Sequence, residues 1–280
     1  MTPSLRLPRL DPRATWSIRV VDASTGDPLL EHDPDVQCET ASIGKIFLLI
    51  EVARRIESAV LDPDESVEIP PHLAVADSGI LYRMRAQRLG VEDLALLVGA
   101  YSDNLATNAL IHLCGLDRVR AVAPALGYER TSLHDYIRDH RSPEMPWTPS
   151  FGTARELSDV MRRLDAGDVH SAAVSERVLG WLASNADTSM VADSFLLDPL
   201  AHVDAEYQGI VLRHKTGTTD FARVDVGHAR GAAGSVSYAV AANWKGVRSD
   251  LRAPVLDAMR DIGEQIRLLV TGLPREEWKR

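Results

Sequence analysis

Three short runs carry side chains that together could perform acyl transfer: Ser42-Ile43-Gly44-Lys45, Ser102-Asp103-Asn104 and Lys215-Thr216-Gly217. A serine hydroxyl is a poor nucleophile until a neighbour takes its proton. A lysine whose pKa is lowered by burial or by other cations can do that. Positions i and i+3 share one face of a helix, so Lys45 is expected within reach of the Ser42 hydroxyl. At a helix start the Ser42 N–H also points toward any oxyanion formed there. Ser102 could relay a proton to a leaving nitrogen, and the Asn104 amide could hold either a substrate carbonyl or Lys45. Lys215 and Thr216, expected at a strand end, could bind a carboxylate. Gly217 there would let substrate backbone approach closely, with the Thr218 N–H as a second oxyanion donor.

Each run alone also reads as ordinary structure: a helix cap with a surface lysine, a turn joining two helices, a strand end with a turn glycine. The scarcity of lysine changes the weighing. Of 31 basic residues only four are lysines (Lys45, Lys215, Lys245 and Lys279), and two of them fall in the first and third runs. The second run begins 60 residues after Ser42 and the third 173 residues after it, each in the setting its chemistry needs.

The elements that must position them follow from hydrophobic periodicity. Trp16–Asp22 and Leu29–His32 flank the turn-rich run Ala23 to Pro28 and predict a β-hairpin. Ile43–Ser58 has helical spacing, with Thr40 and Ser42 as candidate N-caps. Helices are also expected over Val91–Ala100, Leu105–Leu113, Val119–Leu126 and Val174–Ala183, and from the capping box Thr153-Ala154-Arg155-Glu156 onward. Ile210–His214, Val224–His228 and Val236–Asn243 predict an antiparallel meander, and Pro254–Leu269 a closing amphipathic helix. Runs of strands and of helices, rather than strict alternation, indicate an α+β fold. A five-stranded antiparallel sheet built from both chain ends is expected, flanked by helices. Within one domain over 1–280, residues 13–40 and 205–280 form the sheet subdomain and 41–204 an all-helical one.

Together with Asp77-Ser78-Gly79-Ile80-Leu81, the run Tyr101 to Asn108, and Thr148-Pro149 ahead of the Thr153 helix, the three runs mark a family likeness. The chain resembles a class A β-lactamase-type serine hydrolase of the β-lactamase and penicillin-binding protein superfamily, from Trp16 to Val270. The resemblance implies that Ser42 is acylated, that Lys45 activates it and that Ser102 carries the proton to the departing lactam nitrogen. It implies Asn104 on the substrate's side-chain amide, Lys215 and Thr216 on its carboxylate, and the Ser42 and Thr218 amides as oxyanion hole. Arg223 resembles the family's auxiliary carboxylate-binding arginine. No cofactor is implied, since Ser-Lys acyl transfer needs none.

One family element is missing. The deacylating glutamate, set in Glu-x-x-Leu-Asn, has no counterpart in Leu133 to His140, and the loop to Thr148-Pro149 is several residues short. His134, Asp135, Asp139 and Glu144 are alternative bases by chemistry. Without a base on that side acylation should outrun deacylation, giving behaviour closer to a penicillin-binding protein than to a resistance enzyme. Two alternatives stay open: a penicillin-binding or sensing module that keeps its acyl group, and a D-Ala-D-Ala peptidase or an esterase on another small amide or ester.

A net charge of −9 argues against nucleic acid as a partner, and no apolar run approaches the roughly 18 residues of a membrane span. The sequence as given has no apolar signal region at its N-terminus, so a cytoplasmic location is expected, or an extracytoplasmic one if a leader has been removed; a monomer acting on a small molecule is expected as well. The nine histidines show no metal-ligand spacing, and Cys38 and Cys114 read as buried thiols with a disulfide left open.

Overall fold

Both chain ends meet in one antiparallel sheet, in a computed structural model that describes residues 5–203 and 209–273. Lys279, and with it parts of the expected 205–280 segment, lie outside the described residues. β1 (Thr15–Asp22) and β2 (Pro28–His32) form the hairpin, and β3 (Ile210–Thr219), β4 (Ala222–Gly231) and β5 (Gly234–Asn243) the meander. The order across the sheet is β2-β1-β5-β4-β3, which leaves β3 at an edge. Register from Thr15 opposite Asn243 to Asp22 opposite Val236 joins β1 to β5 and so brings the two ends of the chain together.

The helical core on one side of this sheet centres on α1 (Lys45–Glu57), buried from Lys45 through Ala53. The helices α2 (Val91–Tyr101), α3 (Asn104–Cys114), α4 (Leu116–Ala125) and α6 (Ala172–Ala183) pack around it, while α5 (Ala154–Asp165) lies against the sheet. The closing helix is α7 (Arg252–Thr271).

Alternating side chains give the sheet two apolar faces. Ile18, Val20, Val236, Tyr238 and Val240 lie under α7. The α7 stripe Val255, Met259, Ile262 and Ile266 is fully buried, as its spacing predicts. Val224, Val226, Ala239 and Ala241 face the other way and join the core around α1. The molecule is α+β, with a five-stranded antiparallel sheet and flanking helices.

Three local expectations are corrected. First, α1 begins at Lys45, after a 3₁₀ turn over Ala41–Gly44, and neither Thr40 nor Ser42 caps it. Ser150, from the short strand Ser150–Gly152, takes that part instead: its hydroxyl accepts the Gly44 N–H at 3.1 Å and bonds the Thr40 hydroxyl. Second, β3 continues past His214 to Thr219, so Lys215-Thr216-Gly217 lies within a strand and not at its end. Third, only half of the expected capping box forms. Thr153 Oγ1 accepts the Glu156 N–H, but the Glu156 carboxylate turns to the Glu129 and Arg130 amides.

Cys38 and Cys114 are free and buried, and burial pushes their thiols up to about 12 and about 11. Among the described residues no helix is long and apolar enough to cross a membrane.

Candidate active site

Ser42 sits in the 3₁₀ turn, directly after Ala41 at φ +49°, a left-handed conformation that costs an alanine about 1–3 kcal/mol. Edge strand β3 runs against this turn. A Cβ on Gly217 would stand 2.3 Å from the Thr40 carbonyl oxygen and 3.3 Å from the Ser42 nitrogen. Only glycine lets the strand come this close, and the closeness sets Thr216 and Thr218 beside Ser42.

The second run closes the other side. Ser102 ends α2 in the left-handed region at φ 52°, and Asp103 caps α3 by accepting the Ala106 N–H at 2.9 Å. The second carboxylate oxygen of Asp103 accepts the Ile80 and Leu81 N–H groups, both at 2.7 Å. Gly79, at φ +104°, makes room for it, because a Cβ there would lie 2.2 Å from that oxygen. Segment 77–81 is thereby bolted to the second run. Ser78 and Gly79 wall the cleft, whereas Leu81 is buried in the core and Ile80 is exposed.

Lys45 points into this second run. Its ammonium donates to the Ser102 carbonyl at 2.5 Å, to Asn104 Oδ1 at 2.8 Å and to Ser102 Oγ at 3.2 Å. Among the described residues no hydrogen bond joins it to Ser42. The Asn104 amide nitrogen is taken by the Ala76 carbonyl at 3.1 Å, so Asn104 serves Lys45 and the neighbouring loop together. Burial, followed by the Lys215 cation, pushes the Lys45 pKa well below its ordinary value, while Asp103 and Asp77 oppose the shift. Burial likewise brings Lys215 down to about 8, against the pull of Asp187 and Asp225.

The cleft between these walls has a volume of about 310 Å³. Ser42, Ser102, Thr216 and Thr218 line it, and Lys45, Asn104, Lys215 and Gly217 stand behind its surface. Arg223 does not reach it. It sits opposite Thr218 in the sheet, donates to the Thr219 and Ala222 carbonyls and stacks over Trp244. There it lines an adjoining hollow of about 620 Å³ that shares Thr218 with the cleft.

The loop candidates are placed elsewhere. Asp135 is buried. Burial opposes its ionisation, but hydrogen bonds from Arg138 and Arg141 win and hold the carboxyl below its usual range. The His134 ring packs on Phe151, Asp139 accepts the Ala76 N–H at 3.3 Å, and Glu144 is exposed. None of the four lines the cleft.

Sequence reasoning missed the third wall, Asn185-Ala186-Asp187. Asn185 Nδ2 lies 3.1 Å from His214 Nε2 and Ala186 N donates to the Ala100 carbonyl, which tethers this loop to both β3 and α2. A turn-forming run just after a helix, Ser184 to Ser189, was the one local signal.

A profile of the beta-lactamase enzyme family matches residues 9–268. The chain belongs to that family. A solved β-lactamase from Sphaerobacter thermophilus superposes with a TM-score of 0.78 and 26% identity, covering 93% of each chain. PBP-A shares the β-lactamase-family fold at TM-score 0.76, with 19% identity over 94% of this chain and 92% of that one. A β-lactamase regulatory protein, BlaB of Streptomyces cacaoi, is 27% identical over 127 residues. That stretch is 45% of this chain and 40% of BlaB, so the chain spans less than half of that relative.

Proposed function

We propose that Ser42 is acylated by β-lactams or related small amides and esters, and that the acyl-enzyme hydrolyses slowly. In this reading the Ser42 hydroxyl oxygen attacks the carbonyl carbon while its proton passes to Lys45, and the oxyanion is met by the Ser42 and Thr218 N–H groups. As the carbon–nitrogen bond of an amide or the carbon–oxygen bond of an ester breaks, the proton moves from Lys45 through Ser102, 3.2 Å away, to the leaving nitrogen or oxygen. Thr216 and Lys215 form the end of the site on the β3 side.

The observation that carries this is the buried lysine. Lys45 is fully buried among Ser102 and Asn104 oxygens, and its surroundings favour the neutral amine, the form that can take a proton from the serine lining the cleft. The gap between Lys45 and Ser42 does not count against it, since catalytic hydrogen bonds often tighten only when substrate binds.

Slow deacylation is supported by the loop. His134, Asp135, Asp139 and Glu144 stand away from the cleft, and Asp135 is committed to two arginines. The same observation favours a second reading, a sensing module that keeps its acyl group, and the likeness to BlaB agrees with it. Intact-protein mass after mixing with a penicillin, followed over time beside a Ser42→Ala control, tests both. A lasting Ser42-dependent adduct is expected. Rapid turnover would overturn the slow step, and absence of any adduct would overturn acylation by β-lactams.

A further inference from the structure

Asp187 is the one charged residue among the described residues lining the cleft. Its position is fixed from several sides. Its backbone N–H donates to Asn185 Oδ1 at 3.2 Å, and its carboxylate accepts the Ser189 N–H at 3.2 Å and the Ser189 hydroxyl at 2.6 Å. Asn185 is itself fully buried against His214, next in sequence to Lys215. Although burial pushes the Asp187 pKa up, hydrogen bonds from Ser189 and Thr216 win, and the group stays ionised at neutral pH. Its field also reaches behind the wall, where it supports the charges of Lys215 and Arg223.

Thr216 would meet a substrate carboxylate in the cleft, with the Lys215 charge behind it and the Arg223 charge in the adjoining hollow. All three already feel a carboxylate supplied by the protein. We infer that Asp187 determines specificity, disfavouring substrates with a carboxylate at the β3 end of the cleft and favouring amides or esters that are neutral or ammonium-bearing there. Two carboxylates brought together beside Thr216 repel, whereas an ammonium would find the exposed Asp187 carboxylate facing it. The inference rests on Ser42 being the acylated residue and adds which acyl donors reach it.

A matched pair of donors tests this: a penicillin and its methyl ester, which differ in the charge at the carboxylate position. Acylation rate constants for both are measured by intact mass in the native protein, in Asp187→Asn and in Ser42→Ala. Asparagine keeps the shape and the Ser189 contacts but removes the charge. The expected result is an acid-to-ester rate ratio about tenfold higher in Asp187→Asn than in the native protein. An unchanged ratio overturns the inference. Loss of deacylation with both donors also overturns it, because Asp187 would then act on the attacking water and not on substrate choice. If neither donor labels Ser42 in any variant, the acyl-transfer reading itself falls, and the specificity inference falls with it.

Discussion

Lys45 Nζ lies 2.8 Å from Asn104 Oδ1, a buried contact between the first and second chemical runs that holds the ammonium without adding a countercharge. A neutral acceptor satisfies one N–H bond yet leaves burial free to depress the pKa. Asn104→Asp should reverse this, since a carboxylate at that distance favours the charged amine by roughly 1–3 pKa units. Ser42 acylation at neutral pH should then fall about tenfold or more, with its rising limb moved to higher pH. An unaltered pH profile in a folded Asn104→Asp protein would remove Lys45 from the role of base.

The two buried lysines set opposite limbs. Lys45 must be neutral to accept the serine proton, so acylation rises as pH climbs through its depressed pKa. Lys215 must be charged to help hold an anion, and that charge fades as pH rises through about 8. A carboxylate-bearing donor should therefore give a bell-shaped profile with its falling limb near pH 8, whereas the methyl ester should keep only the rising limb. Acylation rates from about pH 6 to about pH 10 for both donors check this, and identical profiles would contradict it.

The same residues show what local sequence can and cannot disclose. Strands and helices were legible because burial imposes periods of two and 3.6 residues, and α7 keeps that rule from Val255 to Ile266. Strand β3 was cut short at His214 because its continuation, Lys-Thr-Gly-Thr-Thr, carries no apolar residue to mark the period. The cap of the Ser42 turn was not legible at all. It comes from Ser150, 106 residues beyond Gly44, and no local rule connects them. Asp187 stayed hidden for the same reason, since its loop is held by Ala100 and His214, both distant in sequence. The motif residues were visible because two of the chain's four lysines mark them; the wall that faces them was not, because Asn, Ala and Asp after a helix read as an ordinary turn.

Gly217 gives a test of the packing that sets the cleft. A methyl group there would overlap the Thr40 carbonyl oxygen, which belongs to backbone and cannot swing aside. Gly217→Ala should push β3 away from the Ser42 turn and lower stability by about 1–3 kcal/mol through overpacking. It should slow Ser42 acylation about a hundredfold, the usual penalty for misplacing a reacting group by an ångström. Thermal or denaturant unfolding and the mass assay read the two effects separately. Native acylation in Gly217→Ala would mean that the strand edge does not shape the site.

The loop from His134 to Glu144 is predicted to bear on stability and not on turnover. Asp135 anchors Arg141 at 2.7 Å and Arg138 at 3.2 Å while accepting the Tyr136 N–H, so its removal takes an acceptor from all three at a buried position, although Arg141 keeps the Pro146 and Tyr136 carbonyls. Asp135→Ala should destabilise the protein by about 1–3 kcal/mol. Because its carboxyl is held below the usual range, this contribution is present at neutral pH and fades as pH falls through that lowered pKa. His134→Ala, Asp139→Ala and Glu144→Ala should leave the lifetime of the Ser42 adduct within about twofold, since none of these side chains lines the cleft. A general base that delivers the attacking water is worth about a hundredfold or more, far outside that margin. A much longer-lived adduct in any one variant would identify that residue as the base and show that the loop moves over Ser42 once the acyl group is in place.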